Sequence, residues 1–187
     1  MTDEVFITAM LNKGKEAKEK ARLAFADISG AQLNWKPAPE KWSIAQCLDH
    51  LVVSDSSYFP EFEKITAGTY HMKFWEKYSP FTGIMGRIMK DRLQELPKVK
   101  MKAPKKIEPS SSEIDTGIIE RYHKNLDRFL GYISNCRSID LDKTIITSPI
   151  TSVVTYSLRD AMQFLIQHEH RHINQAIRVK ATANFPK

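Results

Sequence analysis

The stretch QHEHRHINQ, Gln167 to Gln175, places three of the chain's six histidines and a glutamate within five consecutive positions. On a helix, residues four apart lie about 40° apart around the axis and one turn apart along it, so His168 and His172 share a face. Ala161, Phe164, Leu165, Ile173 and Ala176 occupy the same arc. Gln163, Gln167, Arg171, Asn174 and Arg178 take the opposite one, so two imidazoles are expected to point inward and His170 toward water. A neutral imidazole buried without partners leaves a donor and an acceptor unmet, at about 1–3 kcal/mol each. Hydrogen bonds to neighbours can meet that need for one histidine. For an i, i+4 pair on an apolar face the stronger reading is a shared divalent ion, zinc or nickel, for which imidazole is a good ligand.

Gln175 continues the stripe one turn beyond His172, placed to orient a ligand or a bound water. Glu169 lies about 100° from His168, still inside the apolar arc. It is expected to accept a hydrogen bond from a ligand histidine or to pair with a base from a neighbouring helix, with general-base catalysis as the lesser alternative. HEHRH also satisfies HExxH, in which two histidines bind zinc and the glutamate acts as base. The 15 residues after His172 contain no histidine or acid to complete a zincin site, and nothing upstream reads as the sheet of such a protease.

Two imidazoles leave a metal's coordination incomplete. Upstream, KWSIAQCLDHL puts His50 about two turns into another helix, with Cys47 and Ser54 one turn to either side and Ser57 and Glu61 further along. That face is small and polar, suited to lining a cavity. Cys47 could ligate zinc as a thiolate, but a small buried thiol needs no such role, and packing is its expected one.

Four long helices are expected to carry these residues, at about 3–28, 43–66, 113–135 and 157–182. Ser29 and Gly30 are read as ending the first. Ser43 with Gln46, Ser157 with Asp160 and Ser110 with Glu113 have the spacing of a capping box or its acidic form, marking the starts of the other three. Residues 70–109 form a long, poorly patterned connection holding several prolines, with a short helix expected at 84–96. A little extended structure is expected at 144–147. The class is therefore all-α, one domain over 1–187, a four-helix bundle with a long crossover connection between helices 2 and 3.

Composition narrows the functions. Hydrophobic residues make up 42% and charged residues 27% of the 187, an ordinary balance for a globular chain, and no apolar run approaches the ~18 residues of a spanning helix. No membrane partner is expected, and the acidic N-terminus lacks the order of a secretory signal, leaving the cytoplasm as the expected location. The two cysteines form no CxxC. Much of the net charge of +6 lies in KVKMKAPKK, 98–106, a run without interleaved aromatics that reads as a solvated loop, so no nucleic-acid partner is expected.

LNWKPAPEKWSIAQCLDHL and SLRDAMQFLIQHEHRHINQAI together resemble the two signatures of the DinB family, also called YfiT-like, and the resemblance covers nearly the whole chain. It implies a four-helix fold in which His50, on the second helix, joins His168 and His172 around one divalent metal, with positions open to water or substrate. It also implies activities such as thiol S-transfer, thiol-dependent isomerisation or hydrolysis on small molecules, a low-molecular-weight thiol among them. The alternative is a non-catalytic metal- or ligand-binding bundle of stress responses, and a homodimer is expected. The chain departs from the family in carrying Ile173 after His172, its extra imidazole being His170. His170, His71 and His123 are expected to be solvated, and Trp35 and Trp42 to pack at the helix entry.

Overall fold

A computed structural model describes residues 3–78, 104–151 and 153–187. The helix expected at 84–96 and most of the basic run at 98–106 lie outside those residues.

The first bundle helix, α1, runs Asp3–Phe25, with Asp3 and Glu4 in its first turn and Arg22 in its last, each sign suiting the helix dipole. Its buried residues, Phe6, Ile7, Met10, Gly14, Ala17, Ala21 and Phe25, form one stripe at helical spacing, small through the middle. The small middle is required, since a Cβ on Gly14 would strike Leu130 Cδ2 and press on Ile166 Cδ1. The helix ends short of the expected residue 28 because Ser29 opens a new one: its hydroxyl accepts from Gln32 N and Gln32 Oε1 accepts from Ser29 N, capping α2, Gly30–Asn34.

The second bundle helix is two helices. Helix α3, Ile44–Ser56, starts on the expected capping box, Gln46 N donating to Ser43 Oγ at 3.1 Å and Ser43 N to Gln46 Oε1 at 3.2 Å. The expected continuation to residue 66 is broken at Ser57 and Tyr58, after which α4 runs Phe59–Thr66. Pro60 is the cause: it has no N–H for the Ser56 carbonyl and its ring crowds the preceding turn, so it is tolerated only in a helix's first turn. A short α5, Phe74–Tyr78, and a 3₁₀ turn, Lys105–Ile107, lie on the long connection.

The third bundle helix, α6, is Ile118–Asn135, starting later than expected. Ser110 does not cap it, because Ser110 N donates to Asp49 Oδ2 at 2.6 Å and Ile114 N to Asn34 Oδ1 at 2.9 Å. These bonds hold the segment on α3 and α2 in a non-helical path. The fourth, α7, is Leu158–Lys180, and Ser157 caps it as expected, accepting from Asp160 N at 3.1 Å. The extended piece is β1, Ile145–Thr147, and it pairs antiparallel with β2, Thr155–Ser157, which the sequence reading did not foresee, with Ile146 opposite Tyr156. Ser157 thus ends a strand and caps the next helix.

Helices α1 and α3 each pack principally against α6 and α7. The two N-terminal bundle helices are therefore diagonal, and the long connection takes the chain across to α6. Among the described residues the architecture is all-α apart from the two short strands. Among the described residues no helix is long and apolar enough to cross a membrane.

Candidate metal centre

The α3–α7 contact brings the expected residues together. His50 comes from the second turn of α3, His168 and His172 from the middle of α7. All three are buried, at 2%, 6% and 6% exposure, and one ring nitrogen of each lies within 4.8 Å of the others. His50 Nε2 stands 3.0 Å from His168 Nε2, and the ring centroids of His172 lie 4.5 Å from both other rings. Two nitrogens on a tetrahedral zinc stand about 3.3 Å apart, so this spacing suits a shared ion.

Tautomer and orientation are set locally. His50 Nδ1 lies 2.5 Å from the Ile107 carbonyl oxygen, an acceptor only, so Nδ1 carries the proton and donates. The lone pair is thereby left on Nε2, facing His168. His172 Nδ1 is buried with no hydrogen-bond partner, the kind of orphan a ligand relieves. Burial, partly offset by the Ile107 carbonyl, pushes His50 down to about 4. Burial and then the neighbouring imidazoles hold His168 and His172 well below the usual histidine range. All three are therefore neutral at physiological pH, the state a metal ligand needs. Among the described residues they form a group that can hold a metal ion.

Cys47 is fully buried and outside the group, its thiol pushed up to about 12 by burial. Trp42, expected only to pack at the helix entry, lies with its ring centroid 4.8 Å from His50 and 5.7 Å from His172. A sequence signal existed: an apolar residue just before an N-cap folds back over the helix it precedes. Trp35 does pack at the entry, edge-on to Phe185. Gln175 is half-buried one turn beyond His172 and pulls its proton affinity weakly upward. His170 is not simply solvated, since its Nε2 donates to the Lys13 carbonyl at 2.9 Å and ties α7 to α1. His123 is half-buried, with burial lowering its pKa, whereas His71 is exposed as expected. Arg171, on the arc expected to face water, is half-buried.

Glu169, fully buried, turns to neither a ligand histidine nor a base. Its Oε2 accepts from Tyr122 Oη of α6 at 2.8 Å, and its carboxyl also meets that of Asp55, from the last turn of α3. Sequence reasoning missed Asp55, although Leu48, Leu51 and Asp55 share a helical stripe. No donor reaches either Asp55 oxygen. Burial, then the Glu169 charge, holds Asp55 well above the usual carboxylate range, and burial takes Glu169 up to about 7. A proton between the two acids is what satisfies both.

Two opposite pH slopes follow for the metal-free protein. The three histidines have folded pKa values below the ordinary 6.5, so the stability they allow is present above 6.5 and lost as pH falls below it, for His50 through about 4. Asp55 and Glu169 have folded values above their ordinary 3.8 and 4.5, so what they contribute is present at low pH and lost as pH rises, for Glu169 through about 7. Each unmatched proton changes stability by about 1.4 kcal/mol per pH unit. Urea midpoints measured in chelator are expected to peak near pH 6–7 and to fall on both sides. A midpoint still rising at pH 9 would contradict this.

The sequence model of the DinB superfamily matches residues 15–176, a span that contains every residue of the cluster. No curated protein and no solved structure matches the chain.

Proposed function

The chain belongs to the DinB superfamily, and from that premise we propose that it is a divalent-metal-dependent protein acting on small molecules, a thiol S-transferase or a hydrolase. His50, His168 and His172 hold the ion, zinc or nickel. The observation that carries this reading is the meeting of three buried, neutral imidazoles from two helices within 4.8 Å. At such a place a divalent ion supplies Lewis acidity, drawing the proton from a thiol or a water near neutral pH.

The chain's own residues do the rest. Three uncharged ligands leave an ion its full positive charge. The Ile107 carbonyl keeps the His50 lone pair aimed at the cluster. Trp42 covers the imidazoles on one side and keeps water from it. Gln175 is placed to hydrogen-bond a small molecule beside His172. Glu169 positions helix α7 through Tyr122 and Asp55 and takes no proton from substrate. The low exposure of the imidazoles favours a second reading, a bundle that holds a metal or ligand without turning it over.

Elemental analysis of purified protein is expected to find close to one divalent ion per chain. Incubation of that protein with a panel of low-molecular-weight thiols and a reactive electrophile is expected to yield the thioether faster than buffer does. One ion without conjugation or hydrolysis would leave the binding reading, and no ion would remove the metal-dependent reading and the metal-holding form of the second.

A further inference from the structure

We infer that the short helix α5 and the β1–β2 hairpin it leans on form a docking surface for an anionic lipid bilayer, where aromatic rings enter the headgroup layer and lysines meet the lipid charge. The inference is independent of the metal reading. Helix α5 is built inside out: its one buried side chain is an acid, Glu76, at 2% exposure, while Phe74 stands 77%, Trp75 51% and Tyr78 61% exposed. Met72 and Val153 are exposed too, so five of the seven large apolar side chains exposed among the described residues belong to α5, its approach and the hairpin loop, the other two being Val5 and Leu23. An apolar group gathered in this way on a folded chain marks an interaction surface.

The exposure is enforced by bonds to the hairpin. Glu76 Oε1 accepts from Thr147 N at 3.0 Å and from Thr147 Oγ1 at 2.5 Å, and its Oε2 accepts from Lys73 N at 2.6 Å. Trp75 Nε1 donates to Thr147 Oγ1 at 3.0 Å, and Tyr70 Oη donates to the Ile145 carbonyl at 2.8 Å. With its acid tied to β1, the helix cannot roll over to bury its rings. Each ring is therefore held outward, and tryptophan and tyrosine are the side chains that favour a membrane–water boundary.

Charge names the partner. Over 68–78 and 144–157 the charged residues are Lys73, Glu76 and Lys77, and the acid is the one turned inward. Lys73 Nζ lies 5.4 Å from the Trp75 ring centroid and Lys77 Nζ 5.5 Å from that of Tyr78, so the cations stand among the rings. Lys106 Nζ adds a third, reaching the Pro149 carbonyl of the hairpin loop at 2.5 Å. A second copy docked face to face would set these lysines against their own counterparts. A nucleic-acid strand needs open ring faces along a groove, whereas these rings protrude and two of them carry a lysine. An anionic headgroup layer accepts protruding aromatics and cations together. The absence of a spanning run, which underlay the expectation of no membrane partner, does not bear on attachment to a surface.

The test is co-sedimentation of the full chain with vesicles of phosphatidylcholine alone and of phosphatidylcholine mixed with phosphatidylglycerol. Partitioning is expected to be about tenfold stronger on the anionic vesicles and to fall as salt screens the lysines. Phe74→Ser with Tyr78→Ser is expected to lower it by about tenfold, and so is Lys73→Gln with Lys77→Gln. Val5→Ser with Leu23→Ser, which removes the exposed apolar pair of α1, should leave it unchanged. All these side chains are exposed, and circular dichroism checks each variant; should the ring pair fail to fold, the lysine pair carries the test. No binding to anionic vesicles, or equal binding by the ring and lysine variants, overturns the inference. So does a dimer in ultracentrifugation that Phe74→Ser with Tyr78→Ser dissolves, which assigns the face to a second copy, or a single-stranded oligonucleotide that competes the protein off the vesicles. Phe74 and Tyr78 ring signals shielded from a soluble paramagnetic agent without vesicles would show the face already covered, and would overturn it as well.

Discussion

His168→Ala is expected to weaken zinc binding by more than about 100-fold in a calorimetric titration. Outer groups that merely orient a ligand are worth about 10–100-fold in metal affinity, and a ligand itself exceeds that. His168 is the imidazole whose Nε2 stands 3.0 Å from that of His50, so its removal leaves His50 and His172 without the atom that stands beside His50 Nε2. His170→Ala supplies the control. That side chain bonds the Lys13 carbonyl on α1, and its loss is expected to change affinity by no more than about twofold while costing roughly 1 kcal/mol of stability. Equal loss from both variants would show that zinc sits elsewhere among the histidines.

The largest stability effect is expected at Glu169. Truncation to alanine leaves a cavity in the interior, strips Tyr122 of its acceptor and leaves Asp55 facing no partner, for about 3–5 kcal/mol in urea denaturation. Tyr122→Phe removes one donor and is expected to cost about 1–3 kcal/mol. Glu169→Gln retains an acceptor for Tyr122 and a donor toward Asp55, and is expected within about 1 kcal/mol of the parent. The Tyr122→Phe and Glu169→Ala costs should fall well short of additivity, because both sever the same bond. A Glu169→Ala cost under 1 kcal/mol would mean that the three side chains do not work as a unit.

The legible parts of this protein are those that local chemistry controls. Ser43 with Gln46 and Ser157 with Asp160 cap helices as their spacing says, and the i, i+4 histidines face inward. Ser110 with Glu113 has the same spacing and caps nothing, because Asp49, 61 residues earlier, takes the Ser110 amide. No local pattern contains that competitor. Pro60 was visible in the sequence, but the apolar spacing runs on through it and hides the break. His50 was ambiguous from its own helix face, and only the family resemblance set it beside the others. The pairing of Asp55 with Glu169 was less legible still. It needs α3, α6 and α7 at known rotations, and the order in which they pack is a property of the whole bundle.

The bond from His50 to the Ile107 carbonyl joins one of the three clustered imidazoles to the turn on the far side of the crossover. A cation held there would withdraw electrons from the ring and strengthen donation from Nδ1, so loading the site and seating that turn would share one coupling free energy. By reciprocity, any change that lifts Ile107 away weakens the grip on the cation by the same factor that the cation would have tightened the turn.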